Sequence, residues 1–371
     1  GACRQLAGIE DIELSPEAGL HEGGPGMEGG RKEGGPDGPE PTDAGDCGCD
    51  KCVTLASGQS SPLSMVLVGT DIYFLNYGPE AGLGSLARVS TSGGKVETLQ
   101  GGLTHPLSLT TDGMNLYYFT EDPKNGGVIE KLPISAGTLT TLATKQGTMA
   151  GLISCETIQY PTTQFITVSA TDVYWIGTSG GVGVNVMTVP IAGGASKAFL
   201  NAVPGEAGLA AAFEPSAILT DGTSLFIISN DFSDYAGIIK ATLSTGESVS
   251  IIEDLTTPDA LALTATDLLF TDEAVSFTNG TLQILPQAGG ANTVLAKKLY
   301  APWAVTTDAT DAYWINSGNG NILGSLEKVP LGGGTATTLA GALEAAEAIA
   351  IDSTSVYWID SDCGTVMKVA K

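Results

Sequence analysis

A seven-bladed, all-β propeller is the fold this sequence predicts, and three observations predict it. An aromatic-bearing strand recurs seven times, its spacing is that of a four-stranded blade, and the last copy lacks a fourth strand that the start of the repeat region can supply. The seven strands are Ile72-Tyr73-Phe74, Leu116-Tyr117-Tyr118, Val173-Tyr174-Trp175, Leu225-Phe226-Ile227, Leu268-Leu269-Phe270, Ala312-Tyr313-Trp314 and Val356-Tyr357-Trp358. Their middle residues are 44, 57, 52, 43, 44 and 44 positions apart. The two long intervals mark insertions, near Thr144 to Tyr160 and near Asn201 to Glu214.

The unit recurs as a proline, a short apolar strand, a turn bearing Asp or Asn, and then the aromatic strand, with Glu344 and Glu347 in place of a proline neighbourhood in the seventh copy. A third and a fourth strand follow, as in Ser325 to Leu331, the Gly332-Gly333-Gly334 turn, and Thr335 to Ala340. Gly93-Gly94, Gly193-Gly194 and Gly289-Gly290 repeat that hairpin, whose reversal needs the positive φ that glycine adopts without strain. The seventh copy stops after its third strand, Thr365 to Lys371. Val53 to Ser57 (VTLAS) matches the fourth-strand pattern of Thr337 to Ala340 (TTLA), so it is expected to close the ring as the outer strand of the last blade. The aromatic triplets recur in every copy and read as packing between neighbouring blades.

These strands, above all Val356-Tyr357-Trp358-Ile359-Asp360 and Ala312-Tyr313-Trp314-Ile315-Asn316, resemble the YWTD-type repeats of receptor propellers across residues 53 to 371. Ile stands in place of the motif's Thr, and receptor propellers of that type have six blades where seven are counted here. The resemblance therefore implies the architecture and not the ligand. The chain is also similar, more generally, to secreted bacterial propeller lipoproteins.

Composition narrows the function. With 41 acidic and 16 basic side chains the formal charge is −25, which excludes electrostatic capture of nucleic acid or of an anionic membrane surface. Residues 1 to 52 hold 13 glycines, five prolines, 12 acids and four bases, with no apolar period, and are expected to be a disordered acidic tether. Leu6 to Leu14 is its one apolar patch, read as a frayed helix-like stub. Gly1-Ala2-Cys3 resembles the end of a bacterial lipoprotein signal, which makes Cys3 the expected acylation site and places the protein in the cell envelope or outside the cell. The alternative is an ordinary thiol. Any membrane contact would run through that anchor alone.

Cys47, Cys49 and Cys52 form a C-x-C-x-x-C cluster at the junction of tether and propeller. Thiolates so spaced can hold Cu(I), but a fourth ligand is missing and an oxidising compartment favours disulfide chemistry. Cys155, in the first insertion, and Cys363, in the turn between second and third strands of the last blade, map to one face. They are expected to form a disulfide that pins the insertion over the channel mouth.

In a propeller the first strand of each blade lines the channel, and the loops from fourth to first and from second to third strands open on one face. Aligning the copies on the recurring proline puts Ser61, His105, Tyr160, Glu214, Thr257 and Ala301 before it and Leu63, Leu107, Thr162, Ser216, Asp259 and Trp303 after it, with Glu344 and Glu347 in the seventh copy. Glu214, Asp259 and Glu347 could hold calcium through oxygen ligands, and Glu344 adds to the acidic rim. His105, Tyr160, Tyr300 and Trp303 add an imidazole and aromatic faces suited to a planar or carbohydrate-like ligand. The alternative is a solvated rim of an acidic surface. Asp112-Gly113, Asp221-Gly222, Asp308 and Asp352 fall at the opposite turns and read as turn formers only. There is no Gly-x-Ser-x-Gly elbow, no His-Glu-x-x-His and no phosphate-cradling loop, and the chain has two histidines, His21 and His105. The sequence thus reads as an extracytoplasmic module binding a protein, peptide or carbohydrate without cofactor. A calcium-dependent hydrolase or lyase using rim carboxylates is the alternative.

Overall fold

The computed structural model describes residues 49, 51–122, 126–135, 137–146, 164–179, 182–200, 215–230, 236–273, 278–317 and 323–371. The two insertions and the segment carrying Cys3 lie outside these residues. Among the described residues the chain forms seven four-stranded antiparallel sheets, each built in chain order except the last.

The opening strand β1 (Val53–Ala56) belongs to the final blade. The first blade is β2 (Pro62–Val68), β3 (Asp71–Asn76), β4 (Gly84–Ser90) and β5 (Glu97–Leu103). The second is β6 (Pro106–Thr111), β7 (Asn115–Asp122), β8 (Gly126–Pro133) and β9 (Thr140–Gln146). The third is β10 (Ile166–Val168), β11 (Asp172–Ser179), β12 (Val182–Pro190) and β13 (Lys197–Ala198). The fourth is β14 (Pro215–Thr220), β15 (Ser224–Ser229), β16 (Ala236–Thr242) and β17 (Ser248–Leu255). The fifth is β18 (Pro258–Leu263), β19 (Asp267–Asp272), β20 (Gly280–Pro286) and β21 (Thr293–Leu299). The sixth is β22 (Pro302–Thr307), β23 (Asp311–Asn316), β24 (Gly324–Pro330) and β25 (Thr337–Leu343). The seventh comprises β26 (Ala346–Ile351), β27 (Ser355–Asp360), β28 (Thr365–Ala370) and, outermost, β1.

Each inner strand packs against the inner strands of its two neighbours, and β2 against β26 completes the circle. Closure follows the expected route: β1 pairs antiparallel with β28, Val53 opposite Lys368 and Ala56 opposite Val366, with the register slipping at Leu55. Leu55 and Ala56 are buried, and Leu55 joins Ile72, Phe74 and Val89 of the first blade with Ile359 and Val366 of the seventh. One side chain thereby ties the first turn of the ring to the last.

The core lies between blades. Tyr73, Phe74, Tyr117, Trp175, Phe226, Phe270, Trp314 and Trp358 are all buried, and the apolar clusters join residues of successive blades. Alternation on the second strand sends adjacent aromatics to opposite faces, so each blade fills the gap on both sides. Lysines on the third strands reach further. The Lys131, Lys240 and Lys368 ammonium groups donate to the carbonyls of Ile191 (3.2 Å), Gln287 (3.1 Å) and Thr91 (2.9 Å), each in the next blade of the circle.

The glycine hairpins meet their expectation: Gly93 and Gly94 sit at φ 80° and 119°, and Gly333 and Gly334 at 85° and 149°. The turn aspartates exceed theirs. Asp112, Asp308 and Asp352 cap the amides of their own turns and also accept the hydroxyl of the aromatic five residues on, Tyr117 at 2.8 Å, Tyr313 at 3.0 Å and Tyr357 at 2.7 Å. They are therefore anchors of the core tyrosines as well as turn formers.

Candidate functional site

The channel mouth is made by an irregularity that recurs around the ring. In β2 the pairing passes from Pro62 opposite Asn76 to Ser64 opposite Leu75, leaving Leu63 without a partner in the ladder. The same slip leaves out Leu107 in β6, Ser216 in β14, Trp303 in β22 and Glu347 in β26, and a wider one in β18 leaves out Asp259 and Ala260. Proline explains the slip in five of these strands, since it brings no N–H to the ladder. The backbone before it is bent as well, with Ser61, His105 and Ala301 in the left-handed region at φ 51°, 42° and 48°. A bulge re-aims the side chain it carries, which in six of the seven blades falls at the mouth.

Counting from the aromatic strand identifies the third blade's contribution. Leu63, Leu107, Ser216, Asp259, Trp303 and Glu347 each lie ten residues before the middle residue of their aromatic triplet, and in the third blade that position is Gln164. Alignment on Pro161 points instead to Tyr160 and Thr162, two places out of register; Tyr160 lies outside the described residues, as does Glu214. Gln164 is half-buried and reaches across the fourth blade. Its amide Nε2 donates to the Leu261 carbonyl at 2.7 Å and its Oε1 accepts the Leu261 N–H at 2.9 Å. That side chain supplies hydrogen bonds to the inner edge of β18, which has no further strand beside it.

Burial divides the mouth. Leu63, Leu107, Gln164 and Ser216 are partly exposed, whereas Asp259 (1%), Trp303 (5%) and Glu347 (6%) are buried. Trp303 is thus a wall of the channel and not an open rim aromatic, and neither carboxylate is a solvated rim residue. Beneath the mouth lies a cavity of about 180 Å³ to which Gln164, Asp259 and Trp303 contribute, with Met65, Ile218 and Val305 below them. Both carboxylate oxygens of Asp259 are without a hydrogen-bond partner among the described residues. Burial, reinforced by the negative charges of Glu273 and Asp272, holds its carboxyl well above the ordinary range. Asp272 is itself held by the amides of Thr256 (3.2 Å) and Thr257 (2.7 Å). Glu347 accepts the Ser361 hydroxyl at 3.1 Å.

The remaining candidates stand apart from the cavity lining. His105 stacks on Tyr77, ring centroids 5.0 Å apart, and burial together with the charge of Glu121 raises the Tyr77 hydroxyl. Tyr300 is 38% exposed, and Glu344 is exposed, its amide donating to Asp360 at 3.3 Å. Asp259 and Glu347 belong to blades separated by β22, and among the described residues no three His, Cys, Asp or Glu side chains are grouped to hold a metal ion. Gln164, Asp272, Glu273 and Tyr77 were not singled out by the sequence. Counting back from the aromatics would have found the first of them.

At the opposite end of the closing blade, Cys49 and Cys52 are joined in a disulfide and pack against the core beside β28. Cys363, in the loop between β27 and β28, is also disulfide-bonded, to a partner outside the described residues. Its amide donates to Asp360 at 3.0 Å.

Fold and mouth together define a seven-bladed β-propeller. No family model matches the chain, and no curated protein matches it in sequence. Among solved structures it is similar to virginiamycin B lyase from Staphylococcus aureus, with a TM-score of 0.59 and 12% identity over 86% of this chain and 98% of that one. It is similar to hydrazine synthase from Kuenenia stuttgartiensis, with a TM-score of 0.57 and 12% identity over 85% and 97% of the two chains. The computationally designed Ika8 protein gives a TM-score of 0.55 and 13% identity over 87% and 100%. At these identities the likeness is one of fold.

Proposed function

We propose that this propeller is an extracytoplasmic binding module that takes a protein, peptide or carbohydrate partner at the mouth of its central channel. One observation carries the reading. At the position ten residues before the middle of each aromatic strand, which is bulged in six of the seven blades, the repeat abandons its regularity and offers Leu63, Leu107, Gln164, Ser216, Asp259, Trp303 and Glu347, while the middle residues themselves remain large and buried. A rigid frame holding a ring of unlike side chains is how a repeat fold acquires specificity. The fold itself is neutral between binding and chemistry, since one similar structure is a lyase.

The Cys49–Cys52 disulfide supports a place outside the reducing cytoplasm, and acylation of Cys3 would hold the module at a membrane. Pairing of Cys363 with Cys155 would lay the first insertion beside the mouth; peptide mapping without reduction tests it, and a peptide joining Cys363 to Cys47 or Cys3 would refute it. Peptide and glycan arrays probed with the full chain test the binding reading. Leu107→Asp and Ser216→Arg should abolish the hits. Met114→Asp, at a residue 76% exposed on the opposite face, should leave them intact. Empty arrays, or hits that survive both mouth substitutions, would overturn it.

A further inference from the structure

Among the described residues β1 is the one outer strand that no hairpin delivers. Every other fourth strand follows the third strand of its own blade in the chain, whereas β1 reaches β28 from the far end of the sequence. The segment that leads into β1 touches both sides of the last blade. Leu55 and Ala56 join the apolar cluster shared with the first blade, which includes Ile72, Phe74 and Val89. Cys49 and Cys52 pack instead against the cluster shared with the sixth, which includes Tyr313, Leu343, Trp358 and Val369. Residues 49 to 56 thus straddle the seventh blade, one end in each gap.

The end in the sixth-blade gap is held by a bond that chemistry can break. Cys49 and Cys52, three positions apart, are joined in a disulfide, and the Cys52 N–H donates to the Cys49 carbonyl at 2.9 Å. Neither cysteine is fully buried, and Lys51 between them is exposed. Accessible disulfides are the ones that exchange, because a thiolate must reach a sulfur to open the bond. The short spacing also keeps the two thiols close after reduction, so the bond re-forms without a long search by the chain. Joined, the two cysteines seat on the cluster as one block. Opened, they move independently, and the turn is left to the backbone hydrogen bond.

We propose that Cys49–Cys52 is a reducible latch on the ring: a dithiol reductant opens it, and the closing strand β1 loosens from β28. One thiolate of the dithiol attacks a sulfur of the bond, forming a mixed disulfide and releasing the other cysteine as a thiol; the second sulfur of the dithiol then displaces the remaining cysteine. Two electrons and two protons pass to Cys49 and Cys52, and the dithiol leaves as a disulfide. The effect falls on the seam because Leu55 is the one large buried side chain of β1, so the seat of the two cysteines is a substantial share of what anchors residues 49 to 56. The latch is independent of what the mouth binds.

The test treats the folded full chain with graded dithiothreitol, alkylates the freed thiols for peptide mapping, and follows hydrogen exchange by mass spectrometry. Cys49 and Cys52 should be alkylated without denaturant. Once they are, the amides of Val366, Met367 and Lys368, whose residues pair with β1, should exchange about tenfold faster, in line with the loop-closure contribution of so short a ring. Reoxidation should restore the slow rate, a comparison that needs no substitution. The double variant Cys49→Ser, Cys52→Ser should exchange at the reduced rate with or without dithiothreitol, which separates this bond from the one at Cys363. Resistance of the Cys49–Cys52 bond to dithiothreitol until the chain is unfolded would overturn the proposal, as would β28 exchange that stays within about twofold after its reduction. A β28 response to dithiothreitol that persists in the double variant would assign the effect to Cys363 and overturn it as well.

Discussion

Replacing Leu55 by alanine should open the ring at its seam without unfolding the rest. β1 is four residues long with a burial pattern in which only Leu55 and Ala56 are buried, so Leu55 is its one large anchoring side chain. Burying a leucine contributes about 1.5–3 kcal/mol, and the cavity left by truncation brings the cost of such changes to about 2–5 kcal/mol. What remains is the pairing at Val53, Thr54 and Ala56 and a contact from the Thr54 hydroxyl to the Met367 sulfur at 3.4 Å. No hairpin joins β1 to β28, because the two strands are more than 300 residues apart in sequence, so a detached β1 is not returned by a short turn. A local loss of about 2–3 kcal/mol corresponds to roughly 30- to 150-fold faster exchange of the β28 amides that pair with β1. Hydrogen exchange followed by mass spectrometry reads this directly. Leu142→Ala is the control, since Leu142 holds the same place in β9 but its strand is tied to β8 by a hairpin. Exchange in β28 within about threefold of the parent, or acceleration spread equally over all blades, would refute the reasoning.

Three further outcomes follow from the geometry. Gln164→Ala strips the Leu261 N–H and carbonyl of their partner and should cost about 1–3 kcal/mol in a urea melt; a loss below about 0.5 kcal/mol would mean the bridge across the fourth blade is idle. Burial tends to raise the Asp352 carboxyl, but hydrogen bonds from the Tyr357 hydroxyl and the amides of Thr354 and Ser355 outweigh it and hold it at about 2. Its contribution is therefore present above the unfolded value near 4 and lost as pH falls toward 2. Tyr357→Phe should lower stability by about 1 kcal/mol at neutral pH, a modest figure because Asp352 is partly exposed, and flatten that acid limb. Asp259 has the opposite sign. Its folded-state carboxyl is raised, so between about pH 4 and that higher value the native state keeps a proton the unfolded chain has lost, and stability falls as pH rises through the window. Asp259→Asn should remove this decline, and parallel pH profiles for the two proteins would contradict it.

The frame of the molecule was legible because it is written redundantly. Tyr117, Trp314 and Trp358 announce second strands by residue type, Gly93-Gly94 and Gly333-Gly334 announce hairpins by the φ they require, and VTLA repeats TTLA closely enough to reveal the closing strand. The mouth is written once per blade and in six residue types over seven copies, so no residue type marks it. Asp259 and Trp303 were reached through the proline and Glu347 by its neighbourhood in the seventh copy, which has no proline, and that marker failed in the third blade, where Pro161 is displaced and Gln164 takes the position. Burial was also out of reach. An acidic residue just after a proline reads as a rim group, and the burial of Asp259 depends on neighbours that the sequence does not place beside it. Asp272 and Glu273 carry no sequence signal, since their bearing on Asp259 depends on the pairing of β18 with β19.

The direction in which β1 runs gives the disc a sense of up and down. An outer strand climbs from the face of the third-to-fourth turns to the face of the fourth-to-first loops, so Val53 lies at the end of the blade away from the mouth. Lys371 finishes on that same underside, its ammonium 2.6 Å from Asp308. Both ends of the propeller therefore leave from one side. The ring from Leu63 to Glu347 opens on the face opposite the one from which Val53 and Lys371 leave.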